Sequence, residues 1–269
     1  MAIIRRATFS TLIGKAVTDR APLAAVASFY ILVIGALIGL LWPPLREAFQ
    51  TMPPAMTDLV AAISGGTDLS TSTGWANAEL LSVLAPAAAI VVGVMSAAAA
   101  SAGEEENKTL GLNLSTPIGR SAFLTAKIIG MGVLVVIVAV CVGLGLLLGT
   151  AIGTLGFTTA GMTGAAAHTL LLGILFGTLG FLIGAATGSK RLATLVPTVV
   201  AVLAFAANTF LPLNASLAVG QKFSPWYYYL SSDPLAHGAN GGHLALLAGV
   251  SLALAVAAVL VFRTRDLRG

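Results

Sequence analysis

The sequence predicts an all-α, polytopic membrane protein with six transmembrane helices, and three observations support this fold class. Only 9% of the 269 residues are charged and 57% are hydrophobic, whereas a soluble domain carries about 25% charged residues. Six apolar runs have roughly the 20 residues that a membrane-spanning helix needs. Lys and Arg residues also concentrate in the connections on one side of these runs, as multi-pass membrane proteins require.

The six runs form a single transmembrane domain over residues 1–269. Residues 128–189 contain no charged residue at all, which supports the spans in this region because a central charge costs about 2.5–3.5 kcal/mol on insertion. In chain order, the predicted spans 1 to 6 are Leu23–Trp42, Leu80–Ala102, Ala126–Gly153, Thr163–Thr187, Leu192–Leu211 and Leu244–Phe262.

The distribution of basic residues predicts the orientation of the chain. Twelve of the 14 Lys and Arg residues lie before span 1, after spans 2, 4 and 6, or at the very start of span 3, and only Arg46 and Lys222 lie on the other side. Because basic residues favour the cytoplasmic side, both termini are expected to be cytoplasmic. This topology also explains the net charge of +4, so we do not expect nucleic acid as a partner.

Three segments outside the spans have their own predictions. Residues 1–20 are too charged to span, and their apolar residues share one helical face, which predicts a cytoplasmic helix lying in the membrane interface. Residues 43–79 are predicted to be an outer loop, since Pro43-Pro44 and later Pro and Gly pairs punctuate them. Residues 213–243 are rich in Pro, Gly and Ser as well as apolar residues, which predicts short re-entrant outer helices buried against protein.

Two further patterns concern packing. The three tryptophans and the run Tyr227–Tyr229 fall on the predicted outer side, and we interpret them as a belt at the level of the lipid headgroups. Glycines recur at helical spacing in spans 3 and 4, which predicts close helix packing within the chain, with a subunit interface as the alternative. These glycines are Gly145, Gly149 and Gly153 in span 3, and Gly173, Gly177, Gly180, Gly184 and Gly188 in or just after span 4.

The sequence contains no recognisable catalytic or metal-binding motif. The three histidines belong to no H-E-x-x-H motif, no G-x-S-x-G occurs, and the single cysteine, Cys141, lies in an apolar run. No acidic or basic residue lies at the predicted membrane midplane, although ion-coupled carriers usually place one there. If the protein transports a substrate uphill, the energy is therefore expected to come from another chain.

Residues 103–122 form the most highly charged stretch of the chain, between spans 2 and 3 on the predicted cytoplasmic side. Glu104, Glu105 and Glu106 follow a break at Gly103, and acidic residues favour the N-terminus of a helix. Thr116-Pro117 has the pattern of an N-cap followed by proline at the first helical position. The spacing predicts a short amphipathic helix, a stop and a new helix, while a plain solvated loop is the alternative.

The motif Gly-Glu-Glu-Glu-x-x-Thr-Leu-x-Leu-x-Leu-Ser-Thr-Pro-x-x-Arg resembles the permeases of ABC transporters of the type-2 exporter class. The six-span layout, the N-terminal helix and the run Ser224-Pro-Trp-Tyr-Tyr-Tyr-Leu230 are similar to the same class. The resemblance implies that the segment docks on a separate ATPase, with polar contacts from the acidic residues and apolar contacts from the leucines. The implied coupling residues are Glu104, Glu105, Glu106, Lys108, Thr109, Leu110, Leu112, Leu114, Pro117 and Arg120.

The resemblance also implies the partners and the location. The expected partners are two ABC ATPase subunits, a second copy of the chain or a related permease, and membrane lipid. The chain itself would bind no cofactor, because ATP and Mg would sit on the ATPase, and the expected location is the plasma membrane of a prokaryote. Tyr30, Asn208 and Thr209 are polar residues that could line a substrate pathway. A secondary carrier or channel without nucleotide, and a membrane assembly module, are the alternative functions.

Overall fold

A computed structural model describes residues 2–53, 56, 68–103 and 119–265, with side chains from residue 9 onward. Helices account for the regular secondary structure of these residues. Six of the helical segments are long and apolar enough to cross a membrane, which confirms the all-α, six-span prediction. Spans 1 to 6 are Ala21–Thr51, Ser72–Gly103, Arg120–Gly153, Thr159–Thr187, Lys190–Leu213 and Gly241–Thr264.

The N-terminal helix, Ala2–Thr18, packs on the inner half of span 3. Its apolar face is the one that the sequence predicts: Leu12 and Ala16 are buried, and Phe9, Ile13 and Val17 pack against the same core cluster. Ala16 lies so close to Gly130 of span 3 that a Cβ added to this glycine would be 2.7 Å from the Ala16 Cβ. The position of this helix in a membrane interface stays a prediction.

Span 1 does not end at Pro43 and Pro44 but continues to Thr51, so the first nine residues of the predicted loop at 43–79 are helical. Proline interrupts a helix because it lacks an N–H and its ring crowds the carbonyl four residues earlier. Here the carbonyl of Gly39, which loses its ordinary donor at Pro43, lies against Gly153 of span 3. Membrane helices tolerate proline where a neighbouring helix covers the freed group in this way.

Spans 2 and 4 form the centre of the molecule, and spans 5 and 6 its periphery. In the most apolar 18 residues of each span, 61% are buried inside the chain for spans 2 and 4, against 11% for span 5 and 17% for span 6. Span 2 is interrupted: a π-helical turn, Asn77–Leu81, precedes a break, and a regular helix resumes over Leu84–Ala98. The core therefore surrounds an irregular helix.

The glycine stripes pack helices together within the chain, as predicted. Gly149 of span 3 approaches Gly35 of span 1, so that an added Cβ would lie 2.7 Å from the Gly35 carbonyl oxygen. In the same way, a Cβ added to Gly93 of span 2 would lie 2.6 Å from the carbonyl oxygen of Gly173 in span 4. Both contacts bring backbone against backbone, which only glycine permits.

Short helices follow span 5, at Ala218–Phe223, Pro225–Leu230 and Pro234–His237. That they re-enter the membrane from the outer side stays a prediction. The interpretation of the aromatic residues as a headgroup belt is wrong for three of them. Trp42, Trp226 and Tyr229 are 5%, 6% and 1% exposed, because they fill gaps between helices. Trp226, for instance, packs its ring 5.7 Å from that of Phe176 in span 4.

Candidate functional sites

The predicted coupling segment lies mostly outside the described residues. Of its candidate residues, Glu104, Glu105, Glu106, Lys108, Thr109, Leu110, Leu112, Leu114 and Pro117 fall in the undescribed stretch 104–118, and Arg120 alone is described. The structure does define where the segment is attached. Gly103 ends span 2, and Arg120 begins span 3. These two attachment points and their neighbours form the first candidate site.

Basic side chains surround the attachment points. The Lys190 side chain packs on Gly103, since its Cδ would be 3.5 Å from a Cβ added to that glycine. Lys127 lies in span 3, seven residues after Arg120. It is only 2% exposed, and its ammonium lies 5.5 Å from the centre of the Phe123 ring. A cation held over an aromatic face is stabilised by the ring's electron density. Lys127, counted above only among the basic residues that predict the orientation, is therefore buried within the protein.

Two arginines join the ends of three spans at the same site. The Arg120 guanidinium donates a hydrogen bond to the carbonyl of Arg265, at 3.1 Å. The Arg265 guanidinium in turn donates to the carbonyl of Ala185, at 2.9 Å, near the end of span 4. The last carbonyls of a helix lack partners inside the helix and attract cations, so each guanidinium lies at the end of a neighbouring span that favours a cation.

A second candidate site lies at the opposite end of the spans, where Tyr229 anchors the helix Pro225–Leu230. Its hydroxyl donates to the carbonyl of Leu81 at 2.7 Å, just before the break in span 2, and Thr169 of span 4 donates to the Tyr229 hydroxyl at 3.5 Å. Burial raises the pKa of Tyr229 well above its ordinary value, because the phenolate would lose its hydration. The tyrosine therefore stays neutral and holds three elements together.

The neighbouring helix is fixed by a second polar contact. The side-chain amide of Asn77, in the π-helical turn, donates to the carboxylate of Asp233 at 2.9 Å. Asp233 has a positive φ of 44° and caps the helix Pro234–His237, accepting from the Ala236 N–H. Ser224 adds a bond to the Ala204 carbonyl of span 5 at 2.7 Å. Side chains thus tie the outer helices to spans 2 and 5.

An apolar cavity of about 320 Å³ lies between spans 2 and 5, with Trp226 at one end. Its walls carry mainly aliphatic side chains, with Phe205 and Thr194 and Thr198 of span 5 among them. This is the size of many small-molecule pockets, which are mostly apolar with a few polar groups. The arrangement could hold an apolar or amphipathic molecule.

The three predicted pathway residues do not line this cavity. Tyr30 is 44% exposed on span 1, Thr209 is exposed near the end of span 5, and Asn208 beside it is half-buried. Tyr30 thus lies on span 1, whereas Asn208 and Thr209 are neighbours on span 5. A pathway that contains Tyr30 and Thr209 would have to be formed between this chain and a second permease, because both residues are exposed on the single chain.

Among the described residues, no three His, Cys, Asp or Glu side chains gather as metal ligands would. His168 is fully buried in span 4, and its Nδ1–H donates to the Gly164 carbonyl at 2.9 Å. This local bond is the structural role that a lone buried histidine usually has. Cys141 is a half-buried free thiol in span 3.

The comparisons with known proteins agree with these observations. Residues 8–267 match the family model described as ABC-2 family transporter protein. The match spans nearly the whole chain, so the chain belongs to this family and is a multi-pass transmembrane subunit of an ABC transporter. Permeases of this family generally work with an ABC ATPase. No match was found among the curated proteins.

Sequence reasoning missed the two features that hold the ends together. Arg265 was counted only as a cytoplasmic charge, although its place at the end of span 6 is also where a side chain can reach a neighbouring helix end. Tyr229 was grouped with its two neighbours. The sequence did contain a signal, because Trp226 and Tyr229 are three residues apart and so share one helix face. In the structure, both residues are buried.

Proposed function

We propose that this chain is the transmembrane subunit of an ATP-driven exporter, coupled to ABC ATPase subunits through residues 104–117. Two ATPase copies would bind ATP and Mg and hydrolyse the nucleotide, and two permease copies, or this chain and a related one, would form the pathway. The protein would lie in the plasma membrane of a prokaryote with both termini in the cytoplasm. The observation that carries the proposal is the family match over residues 8–267.

The structure adds support for the place of coupling. Gly103 and Arg120, the two attachment points of the segment, lie at the same end of the bundle as Lys127, Lys190 and Arg265. A concentration of basic residues marks the cytoplasmic end of a membrane protein. An ATPase in the cytoplasm would reach the segment at this end.

The cargo that we infer is apolar or amphipathic. The support is the cavity between spans 2 and 5, which is lined almost entirely by apolar side chains. Span 5 is also the span least covered by its own chain, so a second permease could complete the pathway there. Tyr30, Asn208 and Thr209 stay proposed as polar positions on that pathway.

The test is assembly with an ABC ATPase. The tagged full chain is co-expressed with the candidate ATPase in membranes, solubilised and purified, and the ATPase is quantified together with its ATP hydrolysis. Glu105→Arg reverses a charge in the segment, and Leu112→Arg replaces one of its leucines with a charged residue. We expect both variants to lose the bound ATPase and the stimulated hydrolysis.

Asp19→Arg is the matched control, since it reverses an exposed acidic residue on the predicted cytoplasmic side but outside the segment. This variant should retain the ATPase. If Glu105→Arg and Leu112→Arg bind and stimulate the ATPase as the unaltered chain does, coupling through residues 104–117 is wrong. Transport by the isolated chain under an ion gradient alone would favour a secondary carrier instead.

A further inference from the structure

The cytoplasmic ends of spans 3, 4 and 6 are joined by a set of side chains that we name the cytoplasmic clamp. It consists of Arg120 and Phe123 of span 3, Phe262 and Arg265 at the end of span 6, and the Ala185 carbonyl of span 4. The clamp begins at the first residue of span 3, directly beyond the proposed coupling segment.

The hydrogen bonds of Arg120 and Arg265 form the polar layer of the clamp, and helix electrostatics explain why each guanidinium points toward a neighbouring span. The N-terminus of a helix carries a partial positive charge, so Arg120 is unfavourable at the start of its own span. Its guanidinium instead reaches the end of span 6, where the Arg265 carbonyl carries a partial negative charge. Arg265 does the same toward span 4, where it donates to Ala185 at 2.9 Å and to Gly184 at 3.4 Å.

The aromatic layer lies one helical turn from the arginines, toward the centre of the spans. Phe123 and Phe262 are each 1% exposed and stack with their ring centres 6.3 Å apart at an interplanar angle of 19°. Phe123 follows Arg120 by three residues in span 3, and Phe262 precedes Arg265 by three residues in span 6. Because the two spans are antiparallel, the arginines lie at the same level and the two rings at the next. Spans 3 and 6 therefore meet through an apolar contact and a polar contact that are one helical turn apart.

We propose that Arg120 and Arg265 are positioning residues that make the ends of spans 3, 4 and 6 move together when the coupling segment is displaced. This inference rests on the proposed function. The segment ends at Pro117, three residues before Arg120, so a displacement of the segment reaches Arg120 first. The hydrogen bonds pass the displacement to span 6 through the Arg265 carbonyl and to span 4 through the Arg265 guanidinium.

The experiment measures hydrogen–deuterium exchange in the permease–ATPase complex, without nucleotide and after trapping with ATP and vanadate. Three amides report on the three helix ends: Phe123, Gly188 and Arg265 donate to the Gly119, Gly184 and Val261 carbonyls. In the unaltered complex, peptides containing these amides should change their exchange together on trapping. In Arg265→Gln, the change around Gly188 should fall about fivefold or more, a usual size for the coupling between sites, while that around Phe123 persists.

Two variants separate positioning from a general loss of structure. Arg265→Lys keeps a cation that can donate to the Ala185 carbonyl, so it should restore most of the change around Gly188. Arg263→Gln removes an exposed arginine two residues away and should behave like the unaltered chain. If Arg265→Gln does not fold, Arg120→Gln is measured instead, with the loss expected around Arg265.

The outcomes distinguish this inference from the function on which it rests. If the ATPase binds and trapping alters exchange at all three ends in Arg265→Gln as in the unaltered chain, the clamp does not transmit the displacement. The same conclusion follows if Arg263→Gln has the effect expected of Arg265→Gln, or if trapping alters only the start of span 3 in the unaltered complex. If no ATPase binds the unaltered chain, the proposed function fails and the clamp has no displacement to transmit.

Discussion

The outer and inner halves of span 3 contact their neighbours in different ways. In the outer half, Gly149 and Gly153 bring the backbone of span 3 against Gly35 and Gly39 of span 1. In the inner half, Gly130 contacts Ala16 of the N-terminal helix, and the long side chains of Arg120 and Phe123 make the contacts with span 6. Backbone contacts leave no room for the helices to shift, whereas hydrogen bonds between long side chains and helix ends can stay formed while those ends move together. We therefore expect the half of span 3 that contains Gly149 and Gly153 to be a fixed support, and displacements to occur at the end that begins with Arg120.

The largest expected effect is at the fixed support. Gly149→Ala would place a Cβ 2.7 Å from the Gly35 carbonyl oxygen and 3.2 Å from a Leu155 methyl, and overpacking of this kind costs about 1–3 kcal/mol. The free energy of unfolding in detergent should fall by this amount. Gly132→Ala is the control in the same helix, because nothing lies within 4 Å of its added Cβ. Equal stability of the two variants would show that spans 1 and 3 are not closely packed.

The next effect concerns the hydrogen bond of Tyr229 at the outer end. Tyr229→Phe removes the hydroxyl that donates to Leu81 and leaves a buried carbonyl without this donor, which costs about 1–2 kcal/mol. The unfolding midpoint in detergent should fall accordingly. Tyr228→Phe serves as the comparison, since that ring is half-buried and packs on Tyr227 and His243 at the surface. A similar loss in both variants would argue against a special role for Tyr229.

Alkaline pH should weaken the same contact. Because burial raises the pKa of Tyr229, the folded state keeps a proton that the unfolded state loses near pH 10. The contribution of Tyr229 to stability is therefore complete below about pH 10 and is lost as the pH rises above that value. Melting curves between pH 8 and 11 should show a steeper alkaline decline for the unaltered chain than for Tyr229→Phe. Parallel declines would contradict the burial of this hydroxyl.

The smallest effect on stability is expected at the inner end. Arg265→Gln removes a cation from the end of span 4, an interaction worth about 0.3–1 kcal/mol at a partly exposed site. Its unfolding midpoint should differ little from that of the unaltered chain, although its exchange response to ATP is expected to change. A loss as large as that of Gly149→Ala would place the arginine in the fixed support.

The sequence was sufficient for the features that depend on composition and spacing. The six spans, the apolar face of the N-terminal helix and the intrachain packing of Gly149 follow from hydrophobic runs and helical periodicity. Features that depend on a neighbouring helix were not predictable. Pro43 and Pro44 normally indicate a helix end, but here the freed Gly39 carbonyl lies against a glycine of span 3, a contact that no local pattern reveals.

In the candidate sites, too, some features could be predicted from the sequence and others depend on a neighbouring helix. The charge of residues 103–122 and their family resemblance indicated where an ATPase could dock, since both are visible in the sequence itself. That Arg120 bonds to the Arg265 carbonyl depends on how span 3 crosses span 6. A single sequence contains little information on such crossings.

The most direct test of the central claim is a photocrosslink between the coupling segment and the ATPase. A photoreactive phenylalanine analogue replaces Leu112 in one variant and Phe223, which is 90% exposed at the opposite end of the bundle, in another. Both variants are irradiated in membranes that contain the ABC ATPase. Coupling through residues 104–117 predicts a crosslinked permease–ATPase product from position 112 and none from position 223. A product from position 223 with none from position 112 would contradict it.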